Sequence, residues 1–134
     1  VSPKAQRIAI AEACGVQTLY WKAKYNNHGI EDCYITDSKE DAEEWPFKEL
    51  GVESFVYLGK IPNYLNDLNA MHEAEKLLVG LTKFHGITFD TQAYDTYVVT
   101  LRKVSKHAAV SATAAQRAEA FLKTLNLWVD DKDA

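Results

Sequence analysis

Hydrophobic and polar positions alternate between two periods along the chain, and each change of period marks an element. Ser2-Pro3 opens the first: a hydroxyl can accept an orphan amide hydrogen bond and proline suits the first helical turn, while Gly15 supplies a stop. Ile8, Ala11 or Glu12, and the flanking Ala9 and Ala13 therefore predict a short helix over about residues 3 to 14. From Thr18 to Tyr25 the run is aromatic and lysine-spaced, Asn26-Asn27-His28-Gly29 tolerates positive φ, and Ile30 to Thr36 resumes β-forming chemistry. This pattern predicts a hairpin. Residues 37 to 49 are acidic and interrupted by Pro46, which suits a surface excursion with one helical turn, pinned by Trp45 and Phe47. Ser54 to Leu58 is rich in β-formers and predicts a further strand, ended by Gly59-Lys60-Ile61-Pro62.

The strongest periodicity begins at Pro62. Tyr64, Leu65, Leu68, Met71, His72, Glu75, Leu78 and Val79 recur at three and four, which predicts a helix of about four turns with Gly80 past its end. Residues 94 to 104 read as a strand, with Tyr97, Val99 and Leu101 on one face and Thr96, Val98, Thr100 and Arg102 on the other. A capping box, Thr113-Ala114-Ala115-Gln116, opens the last helix. Its buried stripe is Ala114, Ala118, Phe121, Leu122 and Leu125, and Asn126 takes the left-handed cap position. Strands flanked by segregated helices give an α+β fold, a single-domain layered α/β/α sandwich with a largely antiparallel sheet. That domain spans residues 1–129, and residues 130–134 are an acidic frayed tail.

Composition adds exclusions. The chain has 134 residues, 47% of them hydrophobic and 25% charged, so it needs no disulfide or metal to hold a core. Fifteen lysines and arginines against nineteen acidic residues give a net charge of -4, and the only arginines are Arg7, Arg102 and Arg117. A protein that tracks DNA or RNA phosphates is disfavoured. Cys14 and Cys33 read as reduced thiols in a cytosol, and no apolar run is long enough for a signal region or a membrane span.

His72-Glu73-Ala74-Glu75 fails as a zincin helix because Lys76 stands where the second histidine is needed. His72 and Glu75 still share a helical surface, either as an acid/base pair or as a histidine hydrogen-bonded to its neighbour. Cys14, Cys33, His28 and His85 lack metal-ligand spacings, so neither metal nor cofactor is expected. A cysteine–histidine nucleophile pair has nothing in its favour over inert thiols. Glycine-rich phosphate loops and nucleophile elbows are missing, and His85-Gly86-Ile87 and His107-Ala108-Ala109 depart from histidine-x-threonine phosphoesterase pairs.

Arg102 ends the predicted strand with Thr100 and Thr96 behind it, and Arg117 sits at the start of the last helix beside Thr113. Two guanidiniums near hydroxyls and a helix N-terminus can hold phosphates, and Phe121, Phe89 or Trp21 can stack a base. The alternative is that Arg117 packs its stem on Phe121 as a solvated helix residue and Arg102 pairs with a surface carboxylate.

Two stretches, Ile61 to Lys76 and Ala112 to Trp128, together with Ile8 to Gly15, resemble the small bacteriophage proteins of the phage ABA sandwich family. The resemblance covers a little over a third of the chain and implies an α/β sandwich made in the cytosol of an infected or lysogenic bacterium. Size and layout also look like the Thoeris anti-defence sponges, which assemble as oligomers and sequester cyclic ADP-ribose isomers, in some cases cyclic dinucleotides, without chemistry. On that reading Arg102, Arg117, Thr100 and Thr113 face phosphate and Phe89 or Phe121 faces adenine, and Arg117→Ala abolishes capture with little loss of fold. Two other classes compete: a nucleotide hydrolase using His72 and Glu75, and an interaction protein with an exposed aromatic face at Trp21, Trp45 and Trp128.

Overall fold

The computed structural model describes residues 2–84, 92–106 and 111–129. Expectations for His85, Phe89, the 107–109 segment and the tail at 130–134 lie outside the described residues. The chain divides into two compact units, one formed by Val1–Cys14 with Pro62–Ala134 and the other by Gly15–Ile61. The four longer helices belong to the first and a three-stranded sheet to the second, so the fold class is α+β and every strand pairing is antiparallel. Among the described residues no helix is long and apolar enough to cross a membrane.

In the first unit, helix α1 (Pro3–Ala13) starts as the sequence predicts, the Ser2 hydroxyl accepting from the Ala5 amide at 3.1 Å. Arg7 Nε donates to the Pro62 carbonyl at 3.3 Å, tying this helix to the start of the next segment. The central helix departs from its prediction at both ends. Pro62 to Asp67 is wound into tight turns, with the Asn66 and Asp67 amides both donating to the Asn63 carbonyl. The helix, α3, runs Leu68–Phe84 and continues through Gly80. Asp67 is its cap: Oδ1 accepts from the Asn69 and Ala70 amides at 2.9 and 3.4 Å.

Residues 94 to 104 are not a strand. Helix α4 covers Gln92–Ser105, and the residues it buries, Tyr97, Leu101 and Ser105, recur every four positions. The β-branched run Thr96, Val98, Val99, Thr100 carries strand propensity, which burial of one helical stripe overrides. Arg102 and Lys103 then fall in the last turn, where cations suit the helix dipole. Helix α5 (Ala114–Thr124) has the full predicted capping box, with Gln116 N to Thr113 Oγ1 at 3.1 Å and Thr113 N to Gln116 Oε1 at 2.9 Å. Its other end is a Schellman motif: Asn126 sits at φ 61°, Leu127 N donates to Leu122 O at 2.8 Å and Asn126 N to Lys123 O at 3.1 Å. Ile10, Met71, Leu78, Leu101, Phe121 and Leu122 form the buried core of this unit, and Ala114 and Ala118 give α5 a small-residue seam against its neighbours.

In the second unit, β1 (Leu19–Asn26) and β2 (Gly29–Thr36) make the predicted hairpin, and the strand order is β2-β1-β3. Asn26 Oδ1 accepts from the His28 amide at 2.8 Å and Gly29 holds φ 122°, which explains the turn chemistry. The predicted strand at 54–58 is reduced to β3 (Val56–Tyr57). Gly51, at φ 105°, and the Ser54 hydroxyl bonded back to its carbonyl close Val52–Phe55 into a 3₁₀ turn instead. The acidic excursion holds one helical turn, α2 (Lys39–Ala42), capped by Ser38. Trp45 and Phe47 meet edge-on at 5.1 Å, Trp45 half-buried and Phe47 exposed.

Val99 is half exposed on α4 and tests the helix directly. Val99→Ala is expected to stabilise the protein by about 0.5 kcal/mol, the propensity difference in a helix, whereas an exposed strand position would lose stability. Urea unfolding of the two proteins measures the sign.

Candidate functional site

Three helices of the first unit converge on one charged pair. On α3, Met71 and Leu78 flank Glu75 at i−4 and i+3 and are fully buried, so helical spacing turns the carboxylate inward. On α5, buried Ala114 at i−3 and Phe121 at i+4 do the same for Arg117. The two meet across a sequence separation of 42 residues: Arg117 Nη1 donates to Glu75 Oε1 at 3.0 Å, with side chains 11% and 12% exposed. From α4 comes Tyr97, 1% exposed, whose hydroxyl is buried beside both groups without a well-formed hydrogen bond.

Burial and then the Glu75 carboxylate push the Tyr97 phenol well above its ordinary value, with Arg117 acting in the opposite direction, so it stays protonated. Burial works against the charge of Arg117, but the hydrogen bond and charge of Glu75, assisted by Tyr97, outweigh it and hold the guanidinium above its already high value. One turn before Glu75, His72 is half exposed and places Nδ1 3.6 Å from Glu75 Oε2, an electrostatic contact beyond hydrogen-bond length. The carboxylate thus joins a buried guanidinium to an imidazole that reaches solvent.

The sequence analysis expected an anion on Arg117 at the start of α5, and the anion found there is the protein's own Glu75. Arg117 is not a solvated residue, and its removal is no longer expected to spare the fold. Arg102 is exposed on the last turn of α4. Because that segment is helical, Thr100 and Arg102 point about 200° apart and do not share a face as they would on a strand. Thr100 is half-buried, and the Thr113 hydroxyl is occupied by the α5 cap. Phe121 is fully buried and offers no face to a base, while Phe89 lies outside the described residues. The expected exposed tryptophan face is also absent. Trp21 stacks edge-on with Tyr57 at 5.3 Å, Trp128 lies under the Lys123 ammonium at 5.6 Å, and all three tryptophans are half-buried.

Cys14 and Cys33 are free thiols, and burial pushes Cys14 up, away from thiolate chemistry. Among the described residues no group of three or more His, Cys, Asp or Glu could hold a metal ion. Tyr97 was missed as a site residue because a strand reading gave it only a core position. Its four-residue spacing with Leu101 and Ser105 is the signal that places it against Glu75. The chain matches no protein-family model, no curated protein and no solved structure, so the family resemblance rests on the residues quoted for it.

Removing one partner leaves the other charge buried. Arg117→Ala or Glu75→Ala is therefore expected to cost about 3 kcal/mol, and the double variant Glu75→Leu/Arg117→Met less than either single loss. Urea unfolding of the set gives the coupling. Tyr97 contributes to the loss of stability at alkaline pH. Its phenol has a higher pKa folded than unfolded, so its contribution is fully present below about pH 10 and falls as pH rises above it, by about 1.4 kcal/mol per unit. Tyr97→Phe is expected to be neutral to slightly stabilising at pH 7 and to flatten the alkaline fall, as read by unfolding from pH 7 to 11.

Proposed function

We propose that this protein is a bacteriophage anti-defence protein that binds and sequesters a cyclic nucleotide immune signal in the host cytosol without cleaving it. The cyclic ADP-ribose isomers come first, cyclic dinucleotides second. One observation carries the reading. The segments that resemble the phage sandwich family beyond Pro62 are locked together by Glu75 of one and Arg117 of the other, and the third, on α1, packs on the same helix α5. Segments that resemble a family separately in sequence thus share one core, which supports kinship at the level of the unit rather than of isolated motifs. Arg117 acts here as a structural residue, leaving Arg102 as the exposed guanidinium of α4 and α5. Sequestration without turnover requires protein stoichiometric with the signal, and assembly as a homo-oligomer belongs to the same reading.

A hydrolase is the second reading, favoured by the approach of His72 Nδ1 to Glu75 Oε2 at 3.6 Å. Titration calorimetry with a cyclic ADP-ribose isomer and with cyclic dinucleotides, followed by heat denaturation and identification of what is released, separates the two. Sequestration predicts binding with a stoichiometry near one per site and recovery of the intact ligand. New products that disappear in His72→Ala would replace it with hydrolysis. Absence of binding to every ligand of both classes would overturn both.

A further inference from the structure

Lys22 and Lys24 are two apart on β1 and project from one face. Tyr34 pairs with Lys22 across the β1–β2 ladder, so its ring stands on that face too. Between Lys24 and Tyr25 the register shifts, β2 carrying Glu31 as the extra residue. Beside this shift the consecutive residues Lys22 to Tyr25 of β1 line one cavity together with Tyr34. Asp41 of α2 and Glu44 just beyond it line the same cavity, whose volume of about 300 Å³ falls at the small end of ligand sites.

The charges are unequally committed. Lys22 lies 3.4 Å from Asp41 and is 24% exposed, whereas Lys24 is 64% exposed and its pairing with Glu31, at 4.0 Å, is beyond hydrogen-bond length. Tyr25 and Tyr34 are 56% and 45% exposed, two aromatic faces presented beside that ammonium. The complement of ammonium groups, aromatic faces and carboxylate acceptors in one small cavity is a ligand with an anionic group, a flat ring and N–H donors on the ring. We propose that this cavity is a site for a nucleoside phosphate whose base bears an exocyclic amine. Phosphate meets Lys24 and Lys22, the base lies on Tyr34 or Tyr25, and the amine donates to Asp41 or Glu44. The inference rests on the nucleotide-binding reading above and places its ligand in the second unit rather than at Arg102.

The test uses the full chain, labelled with nitrogen-15, titrated with ADP and separately with a cyclic ADP-ribose isomer, alongside Lys24→Glu and Arg102→Ala. Both substitutions are at exposed positions, and circular dichroism checks that each variant is folded. ADP is expected to move the amides of residues 22–25, 34, 41 and 44, with Lys24→Glu weakening it by about tenfold or more. Shifts confined to other residues, or Lys24→Glu binding like the parent, overturn the site. ADP bound in this cavity with no cyclic ligand bound keeps the site and removes sequestration of that signal. Cyclic ligand lost in Arg102→Ala and kept in Lys24→Glu keeps sequestration and removes this site. Failure of both ligands to bind removes both.

Discussion

The buried pair between Arg117 and Glu75 is the contact around which the helical unit is arranged. Apolar contacts are non-directional and can repack among side chains of similar volume. A charge pair 11–12% exposed is different, since any register that separates Glu75 from Arg117 leaves two ions in a poorly solvated interior. The pair therefore acts as a register pin between α3 and α5. Tyr97 extends the constraint to α4. Its hydroxyl is a buried polar group without a well-formed hydrogen bond, tolerated because the ring body fills core space.

That arrangement changes the electrostatics of the α5 N-terminus. A cation there opposes the helix dipole, and the Glu75 carboxylate restores the favourable sign. A ligand phosphate seeking Arg117 would have to displace a carboxylate already bonded to it and strand that carboxylate beside Tyr97. The cost of an uncompensated buried charge makes this exchange unfavourable. The cations open to an incoming anion without such an exchange include Arg102 and Lys24, on exposed surfaces of different units.

What could be read in the sequence follows the range of the interactions involved. Caps and turns are local: the Ser2 cap, the Thr113–Gln116 box, Asn126 at positive φ and the Asn26–Gly29 turn are each determined within about five residues, and each is found where expected. Mistakes fall where tertiary packing outweighs local preference. Residues 94 to 104 have the composition of a strand, yet burial every fourth residue makes them helical. The start of α3 was placed too early because Tyr64 fits the helical spacing while being buried from a turn instead. His72 and Glu75 were visible as neighbours, but the partner of Glu75 lies 42 residues away, and no pattern in a single sequence announces it. The one-residue bulge of β2 at Glu31 is likewise not revealed by alternation along β1.

That bulge lies on an outer strand of the sheet. Strand β2 is an edge of eight residues with Ile30, Tyr34 and Ile35 exposed, the kind of edge that invites another strand to add. The extra residue, Glu31, and the next, Asp32, put two carboxylates on this edge where the ladder is already irregular. Sheet extension by a second copy would bring four carboxylates into one short segment, which disfavours pairing through this edge.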